Sequence, residues 1–229
     1  MRDKGRLLDH PEYVLALEVP KGLPSFMTVP LKVEVFHISP AFLEALKVAA
    51  TPVIKTERHT NGPIWVSTND AITALIWRSI MVATYSKTEY MDEPMSCCAL
   101  TFATNDLPIS SILTPESLPV MALMVRQSMM KVTAPYIESV VAMMRKVPDF
   151  RRFVPRSFVD LLGRDTVMTS WAAFPLYEYD WGPALGGKCE RVRAPKLAMF
   201  NGLQTVLPAL PDHLGGSDGW FRTACDGET

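Results

Sequence analysis

The chain has 229 residues, of which 48% are hydrophobic and 21% are charged, and its formal net charge is −1. This composition supplies ample apolar material for a folded core and excludes a disordered, collagen-like or coiled-coil chain. The 23 Lys and Arg residues nearly balance the 24 acidic residues and form no long run. We therefore expect no nucleic-acid partner and no membrane partner.

The N-terminal region and the cysteines indicate the compartment. No stretch is apolar enough for a signal peptide or long enough for a membrane span, so we expect a soluble, cytoplasmic protein. Cys97, Cys98, Cys189 and Cys225 show no C-x-x-C spacing and no neighbouring His. This pattern favours buried free thiols over zinc ligands or disulfides.

The first predicted elements follow a Pro-punctuated, irregular lead-in over residues 1–30. The alternating apolar residues of LKVEVFHIS (31–39) predict a strand. Ser39-Pro40 then supplies a cap and a first-turn proline for a helix over AFLEALKVAA. STND (67–70) resembles a capping box and predicts a helix that continues to about Tyr85.

The middle of the chain alternates between strand and helix signals. CCALTFAT (97–104) predicts one strand, and residues 117–147 have a helical pattern. A break near Thr133-Ala-Pro135 predicts two helices or one kinked helix. The methionines of this region are more typical of core filling than of a ligand groove.

The last third contains further strands and a glycine-rich turn. DTVMTSWAAFPLYEYDWG (165–182) predicts a strand, an interruption at Pro175 and a second strand through Tyr177 and Tyr179. RVRAP and GLQTVLP predict two more short strands. Because strands and helices do not strictly alternate, the pattern favours an α+β fold over a doubly wound parallel sheet.

The motifs of common enzyme chemistries are missing from this sequence. It contains no G-x-S-x-G, no Walker A motif, no H-E-x-x-H and no dinucleotide-binding G-x-G-x-x-G. Of the four histidines, His37 is expected to be structural, His59 and His213 to be solvated, and none, including His10, has an Asp four residues later. No nucleophile and base can be paired from spacing alone.

Three stretches together resemble the C-terminal half of the BAHD acyltransferases, in particular their fungal trichothecene O-acetyltransferase relatives. The first is FHISPAFLEALKVAA with VSTNDAITALIWRSI, and the second is TSWAAFPLYEYDWG. The third is the order of RVRAP, GLQTVLP and a Gly-Gly turn. The similarity spans about residues 30–225, so residues 31–229 are expected to form one truncated C-terminal domain.

The resemblance implies a chloramphenicol-acetyltransferase-like fold, with a mixed sheet flanked by helices. Family members have two such domains, and a tunnel between them admits an acyl-CoA from one side and an alcohol from the other. It further implies that acyl-CoA, with acetyl-CoA expected, acts as a co-substrate and that no cofactor is permanently bound. The partners expected on this basis are a small-molecule alcohol and the acyl-CoA.

The resemblance also suggests site residues. Thr169 and Trp171 match positions that line the acceptor side of the pocket, although a strand residue and a core indole would account for them equally well. Ser67 and Asn69 stand at the helix entry that faces the CoA channel, although capping alone would account for Ser67.

A further motif of the resemblance is a structural corner. The family's turn motif is matched by Asp180, Trp181 and Gly182. In the family, the aspartate of this turn forms an ion pair away from the catalytic centre. Arg126 is the candidate partner for Asp180. No catalytic residue and no metal site is assigned within the chain.

The family's His-x-x-x-Asp motif, which supplies the catalytic base, is absent from the chain. One hypothesis is therefore an acyltransferase that needs a histidine-bearing N-terminal half, or an intact homologue, from another chain. The second is a catalytically inactive remnant or a domain that binds a small molecule or a partner. The third, autonomous catalysis with His37 as the base, lacks a neighbouring group that would orient the imidazole.

Overall fold

The computed structural model describes residues 5–19, 31–53, 65–85, 94–99, 103–156, 166–192, 203–211 and 219–226. His59, His213 and the end of RVRAP fall outside these ranges. The same holds for the side chains of His37, Cys97, Cys98 and Cys225.

Six strands form a mixed sheet. The strands are β2 (Leu31–Ile38), β3 (Pro94–Ala99), β4 (Ala103–Pro108), β6 (Thr166–Ser170), β7 (Leu203–Leu207) and β8 (Gly219–Asp226). Their order in the sheet is β2-β8-β7-β6-β3-β4. The pairs β7–β6 and β6–β3 are parallel, and the pairs β2–β8, β8–β7 and β3–β4 are antiparallel. This mixed sheet with helices confirms the α+β prediction.

Five α-helices accompany the strands in the described part of the chain. They are α1 (Pro40–Ala50), α2 (Thr68–Tyr85), α3 (Ile109–Ile112), α4 (Ser117–Lys131) and α5 (Ala134–Met144). Short 3₁₀ helices cover Leu7–Asp9, Phe150–Arg152 and Pro183–Leu185. Within the described ranges, no helix has both the length and the apolar content needed to cross a bilayer.

Local signals fix where the helices begin. The Ser39 hydroxyl accepts a hydrogen bond from the backbone N–H of Phe42 at 3.2 Å, and Pro40 occupies the first turn of α1. Pro135 likewise occupies the first turn of α5, immediately after α4 ends at Lys131. The predicted cap and the predicted division into two helices are both confirmed.

The main core lies between helices α1, α2 and α4 and one face of the sheet. Trp77, Met81 and Met121 are almost completely buried there, and they pack with Met168 of β6 and Val206 of β7. Because side chains alternate across a strand, the residues adjacent to Met168 and Val206 point to the opposite face of the sheet. The helices therefore cover one face, which leaves Thr169 of β6 on the other.

The N-terminal segment is more ordered than the irregular lead-in that the sequence predicts. Tyr13–Leu15 forms strand β1, which pairs with β5 (Phe153–Pro155) in a separate two-stranded antiparallel sheet. Gly5 lies against α5, where an added Cβ would stand 2.6 Å from the backbone nitrogen of Met143. The lead-in is thus held to the α5 region through strand pairing and close backbone packing.

Three strand predictions differ from the structure, the first of them only in part. The predicted strand over residues 97–104 is part of an antiparallel pair, β3 and β4, which covers residues 94–108 apart from 100–102. Residues 177–179 were predicted as a strand because of their tyrosines, but 177 and 178 lie in a turn and 179 has no regular structure. The bridge that the described residues show there joins Asp180 to Lys188. In RVRAP, Arg191 and Val192 are not in a strand, whereas the strand predicted in GLQTVLP is confirmed.

Candidate functional site

The start of α2 is a reciprocal cap. The Ser67 hydroxyl accepts a hydrogen bond from the Asp70 backbone N–H at 3.2 Å, and Asp70 Oδ2 accepts the Ser67 backbone N–H at 2.6 Å. The Ser67 hydroxyl also donates to Asp70 Oδ2 at 2.7 Å. This is the capping-box geometry, with an aspartate in the usual place of glutamate, and it confirms the predicted helix start.

Asp70 also forms an ion pair with an arginine from another helix. Arg126 of α4 approaches Asp70 Oδ2 through its Nη2 at 2.7 Å, and the two side chains are 17% and 3% exposed. The guanidinium lies 4.1 Å from the centroid of the Trp65 ring. Arg126 was the candidate partner of Asp180, and that pairing is wrong, since its charge is neutralised by Asp70 at the start of α2.

Asn69 lies in the first turn of α2, next to this ion pair. Its side-chain oxygen Oδ1 is buried and accepts no hydrogen bond from any residue that the structure describes. A buried acceptor without a donor costs about 1–3 kcal/mol, so native proteins rarely leave one unpaired. Asn69 Oδ1 is thus a buried acceptor that no described residue satisfies.

Thr169 and Trp171 lie together at the carboxyl end of β6. Thr169 is opposite Thr205 of β7, and the Trp171 backbone N–H donates to the carbonyl oxygen of Val206 at 2.7 Å. Both predicted residues are half-buried. They lie on a different element from Ser67 and Asn69, which stand at the start of α2.

A cleft of about 520 Å³ opens just beyond Trp171. It is formed where the chain leaves the parallel strands β6 and β7, by residues 172–178 and by Pro208, Ala209 and Pro211, with Lys188 at the edge. Ligands commonly bind at the carboxyl ends of parallel strands, and this volume is within the range of small-molecule pockets, about 300–1,000 Å³. Most of the lining side chains are aromatic or aliphatic, and Glu178 and Lys188 add charged groups, so the cleft suits a ligand with both apolar and polar parts.

The motif Asp180-Trp181-Gly182 forms a tight corner. Asp180 Oδ1 accepts the Gly182 backbone N–H at 2.8 Å, and the Gly187 N–H donates to the Gly182 carbonyl at 2.9 Å. Gly182 has a φ of 78°, a conformation that glycine adopts without strain. Among the described residues Asp180 has no ion pair, and its carboxylate contacts the turn itself through the Gly182 N–H.

A polar cluster around His10 was missed by the sequence analysis. His10 is 2% exposed, and its two ring nitrogens contact Glu12 and Ser139. No local spacing signals this cluster, because Ser139 stands 129 positions from His10. Cys189 is a free thiol as predicted, but it is only partly buried.

Comparison with known proteins identifies relatives over most of the chain. Two eremophilane O-acetyltransferases, from Penicillium roqueforti and Penicillium rubens, are each 28% identical over 216 residues. These alignments cover 82% of this chain and 43% of each relative, so the chain spans less than half the length of the relatives it matches. No protein-family profile matches the chain.

Solved structures show the same fold over nearly the whole chain. TRI101 of F. graminearum, complexed with coenzyme A and deoxynivalenol, matches with a TM-score of 0.75 at 21% identity and covers 99% of this chain and 52% of its own. Vinorine synthase matches with a TM-score of 0.54 at 11% identity. The chain has the fold of one half of a BAHD-like acyltransferase.

The BAHD-like fold confirms the architecture that the three sequence stretches implied. It does not test the roles given to Ser67, Asn69, Thr169 and Trp171, which stay predictions. TRI101 was solved with coenzyme A, with ethyl coenzyme A and with T-2 mycotoxin, so a protein of this fold binds both an acyl carrier and a small acceptor. In the described residues of this chain, no group of three or more metal-ligating side chains could hold a metal ion.

Proposed function

We propose that this chain is one half of an acyl-CoA-dependent O-acetyltransferase of fungal secondary metabolism. The observation that carries the proposal is the match over nearly the whole chain to TRI101, an enzyme solved with coenzyme A, together with the aligned eremophilane O-acetyltransferases. The co-substrate is acetyl-CoA, and the acceptor is a small, largely apolar alcohol such as an eremophilane-type terpenoid.

The second half of the enzyme supplies the catalytic base. Acyl transfer to an alcohol requires a group that removes the hydroxyl proton as the oxygen attacks the thioester carbonyl, and histidine is the commonest such base. This chain has no His-x-x-x-Asp motif, and its buried His10 is already bonded at both ring nitrogens. A histidine-bearing N-terminal half, or an intact homologue, is therefore the proposed protein partner.

The start of α2 is the proposed contact with the CoA. The buried Oδ1 of Asn69 accepts no hydrogen bond from a described residue, and the pantetheine arm of CoA carries two amide N–H donors. A ligand N–H at this position would offset the cost of the unpaired acceptor. The Ser67–Asp70 cap and the Arg126 ion pair hold this turn in place, which favours a preformed site.

The carboxyl ends of β6 and β7 form the proposed acceptor side. Thr169 faces away from the helix-covered core and is half-buried, and Trp171 directly precedes Ala172, the first residue that lines the 520 Å³ cleft. An apolar terpenoid would bury its surface against the aromatic and proline side chains of this cleft. The corner at Asp180-Trp181-Gly182 is proposed to be structural, since its contacts lie within the turn itself.

Titration of the full chain with acetyl-CoA tests the CoA contact. The wild-type protein is expected to bind acetyl-CoA, and Asn69→Leu to weaken the affinity on the order of tenfold, the value of one lost hydrogen bond. Ser79→Ala, an exposed change on the same helix, is the matched control and is expected to leave the affinity unchanged. If all three proteins bind acetyl-CoA with equal affinity, Asn69 does not contact the CoA.

The alternative is a catalytically inactive remnant, or a lone domain of this fold that binds a small molecule or an intact homologue. It is favoured by the missing His-x-x-x-Asp motif. A folded protein that binds neither acetyl-CoA nor terpenoid alcohols, and that gains no activity with a histidine-bearing half, would support this alternative. In both cases the proposed compartment is the cytoplasm, where acetyl-CoA is available.

A further inference from the structure

A buried cluster outside the proposed acyl-CoA site has the arrangement of a serine nucleophile with its base. His10 Nε2 lies 2.9 Å from the Ser139 hydroxyl oxygen, and His10 Nδ1 lies 3.0 Å from Glu12 Oε1. His10 and Glu12 are 2% and 6% exposed, whereas Ser139 is half-buried. Nucleophilic catalysis typically uses this arrangement, in which a serine contacts a histidine base and the histidine contacts a carboxylate that orients it.

The hydrogen bonds around Glu12 decide which nitrogen of His10 carries the proton. Glu12 Oε1 also accepts a hydrogen bond from the Tyr136 hydroxyl, and an ionised carboxylate can only accept. The proton of His10 therefore lies on Nδ1, facing Glu12. In a neutral His10 this leaves the Nε2 lone pair toward Ser139, so that the serine hydroxyl can donate to it. It is the tautomer in which an imidazole can remove a serine proton.

An apolar groove of about 490 Å³ adjoins the cluster through Tyr136, which lines the groove and whose hydroxyl bonds Glu12. Tyr136 and Val140, which flank Ser139 on α5, belong to its lining. On its other sides are Tyr13, Ile137, Phe150 and Phe153. The groove is almost free of polar surface and large enough for an aliphatic or aromatic acyl chain.

From this geometry we propose that Ser139, His10 and Glu12 form a second site that hydrolyses esters of apolar carboxylic acids. Ser139 Oγ attacks the ester carbonyl carbon as its proton passes to His10 Nε2, and the C–O bond to the alcohol breaks as His10 returns the proton to the leaving oxygen. Water then attacks the acyl-serine carbonyl carbon as its proton passes to His10 Nε2. The bond from the acyl carbon to Ser139 Oγ breaks, and His10 returns the proton to Oγ, which releases the carboxylic acid and free Ser139. Ester and water are thus converted to acid and alcohol.

Glu12 and Tyr136 are positioning residues in this site. Glu12 holds the Nδ1 proton, and the Tyr136 hydroxyl holds Glu12. The edge of the His10 ring also packs against the Tyr136 ring, with centroids 5.4 Å apart, which limits rotation of the imidazole. The site belongs to the β1, β5 and α5 region, so it does not depend on the function proposed for α2 and β6.

The first experiment labels the intact wild-type chain with an alkyl fluorophosphonate and maps the modified residue by mass spectrometry. We expect one covalent adduct, on Ser139, because the reagent reacts with serines that a neighbouring base activates. Ser139→Ala should abolish labelling, while Ser111→Ala, an exposed helical serine, should label as the wild type does. A folded wild-type chain that is not labelled, or is labelled elsewhere, overturns the proposal without reference to any variant.

The second experiment measures hydrolysis of p-nitrophenyl esters with acyl chains of two to ten carbons. Hydrolysis should rise with chain length as the groove fills, and Glu12→Gln should lower kcat by up to about 10⁴-fold with little change in KM, because glutamine would reverse the tautomer. A Glu12→Gln protein with native circular dichroism and an unchanged kcat would contradict the proposal. Hydrolysis that persists at the wild-type rate in Ser139→Ala would do so as well.

Discussion

Removal of the charge at Asp70 should destabilise the chain more than any exposed carboxylate change. In Asp70→Asn the side chain keeps an acceptor for the Ser67 cap, but the Arg126 guanidinium loses its counter-ion. Breaking a buried ion pair costs about 3–5 kcal/mol because it leaves a charge uncompensated. Arg126 retains 17% exposure, so the low end applies, and the expected loss is about 3 kcal/mol.

Urea unfolding followed by tryptophan fluorescence measures this loss. With a denaturant slope of about 2 kcal/mol/M, the unfolding midpoint should fall by about 1.5 M. Asp149→Asn is the matched control, since its partner Arg151 is 75% exposed and the pair is solvated, and it should leave the midpoint unchanged within error.

A double-mutant cycle separates the ion pair from other effects of the same substitutions. Arg126→Met removes the cation, so adding it to Asp70→Asn should restore part of the stability, with a coupling of about 2 kcal/mol. Equal small losses in Asp70→Asn and Asp149→Asn, or strictly additive effects in the cycle, would refute the assignment of Asp70 as a buried structural charge.

Three further outcomes follow from the contacts of single residues. Gly5→Ala should destabilise the chain by more than Gly186→Ala in thermal unfolding. Both glycines have a positive φ, but only at Gly5 would the added Cβ lie within 3 Å of a backbone atom. Equal losses would contradict the packing of the lead-in against α5. Met121→Ala, at a fully buried position, should cost about 2–5 kcal/mol in urea unfolding, and a loss below about 1 kcal/mol would argue against the core described above. A side-chain hydrogen bond from Arg6 holds the pKa of Asp9 below its usual value of 3.8, so this contact stabilises the fold above that pH and is lost as pH falls through the lowered pKa. In an NMR titration Arg6→Gln should raise the Asp9 pKa. An unchanged pKa would show that the pair does not form in solution.

Local chemistry explains which elements could be predicted from the sequence. The cap of α2 was predictable because Ser67 and Asp70 are three residues apart and satisfy each other's backbone donors. The start of α5 was predictable for the same reason, since Pro135 suits only a first turn. In both cases the signal and the structure it specifies lie within one helical turn.

Strand predictions failed where propensity and environment disagree. Strand β4 was only partly predicted, because Asn105 and Asp106 disfavour strands, yet β4 lies at the edge of the sheet, where polar residues are tolerated. Tyr177 and Tyr179 favour a strand by propensity, but the turns between Pro175 and the corner at Asp180 leave them no neighbouring strand to pair with.

Contacts between distant parts of the chain were beyond prediction. The partner of Asp70 is 56 positions away on α4, and the partner of His10 is 129 positions away on α5. The sequence around Asp70 or His10 does not identify the partner of either residue, because tertiary packing brings each residue and its partner together. The resemblance to acyltransferases gave the fold, whereas the Arg126 ion pair and the His10 cluster became visible only in three dimensions.

The central claim is that this chain contributes half of an acyl-CoA-dependent acyltransferase. Its most direct test is to mix or co-express the full chain with a His-x-x-x-Asp-bearing N-terminal half of such an enzyme, supply acetyl-CoA and an eremophilane alcohol, and detect the acetyl ester by mass spectrometry. Product is expected only when both halves are present, and none when the histidine of the added half is replaced by alanine. Product formed by the chain alone, or no product with any histidine-bearing half although the two proteins form a complex, would contradict it.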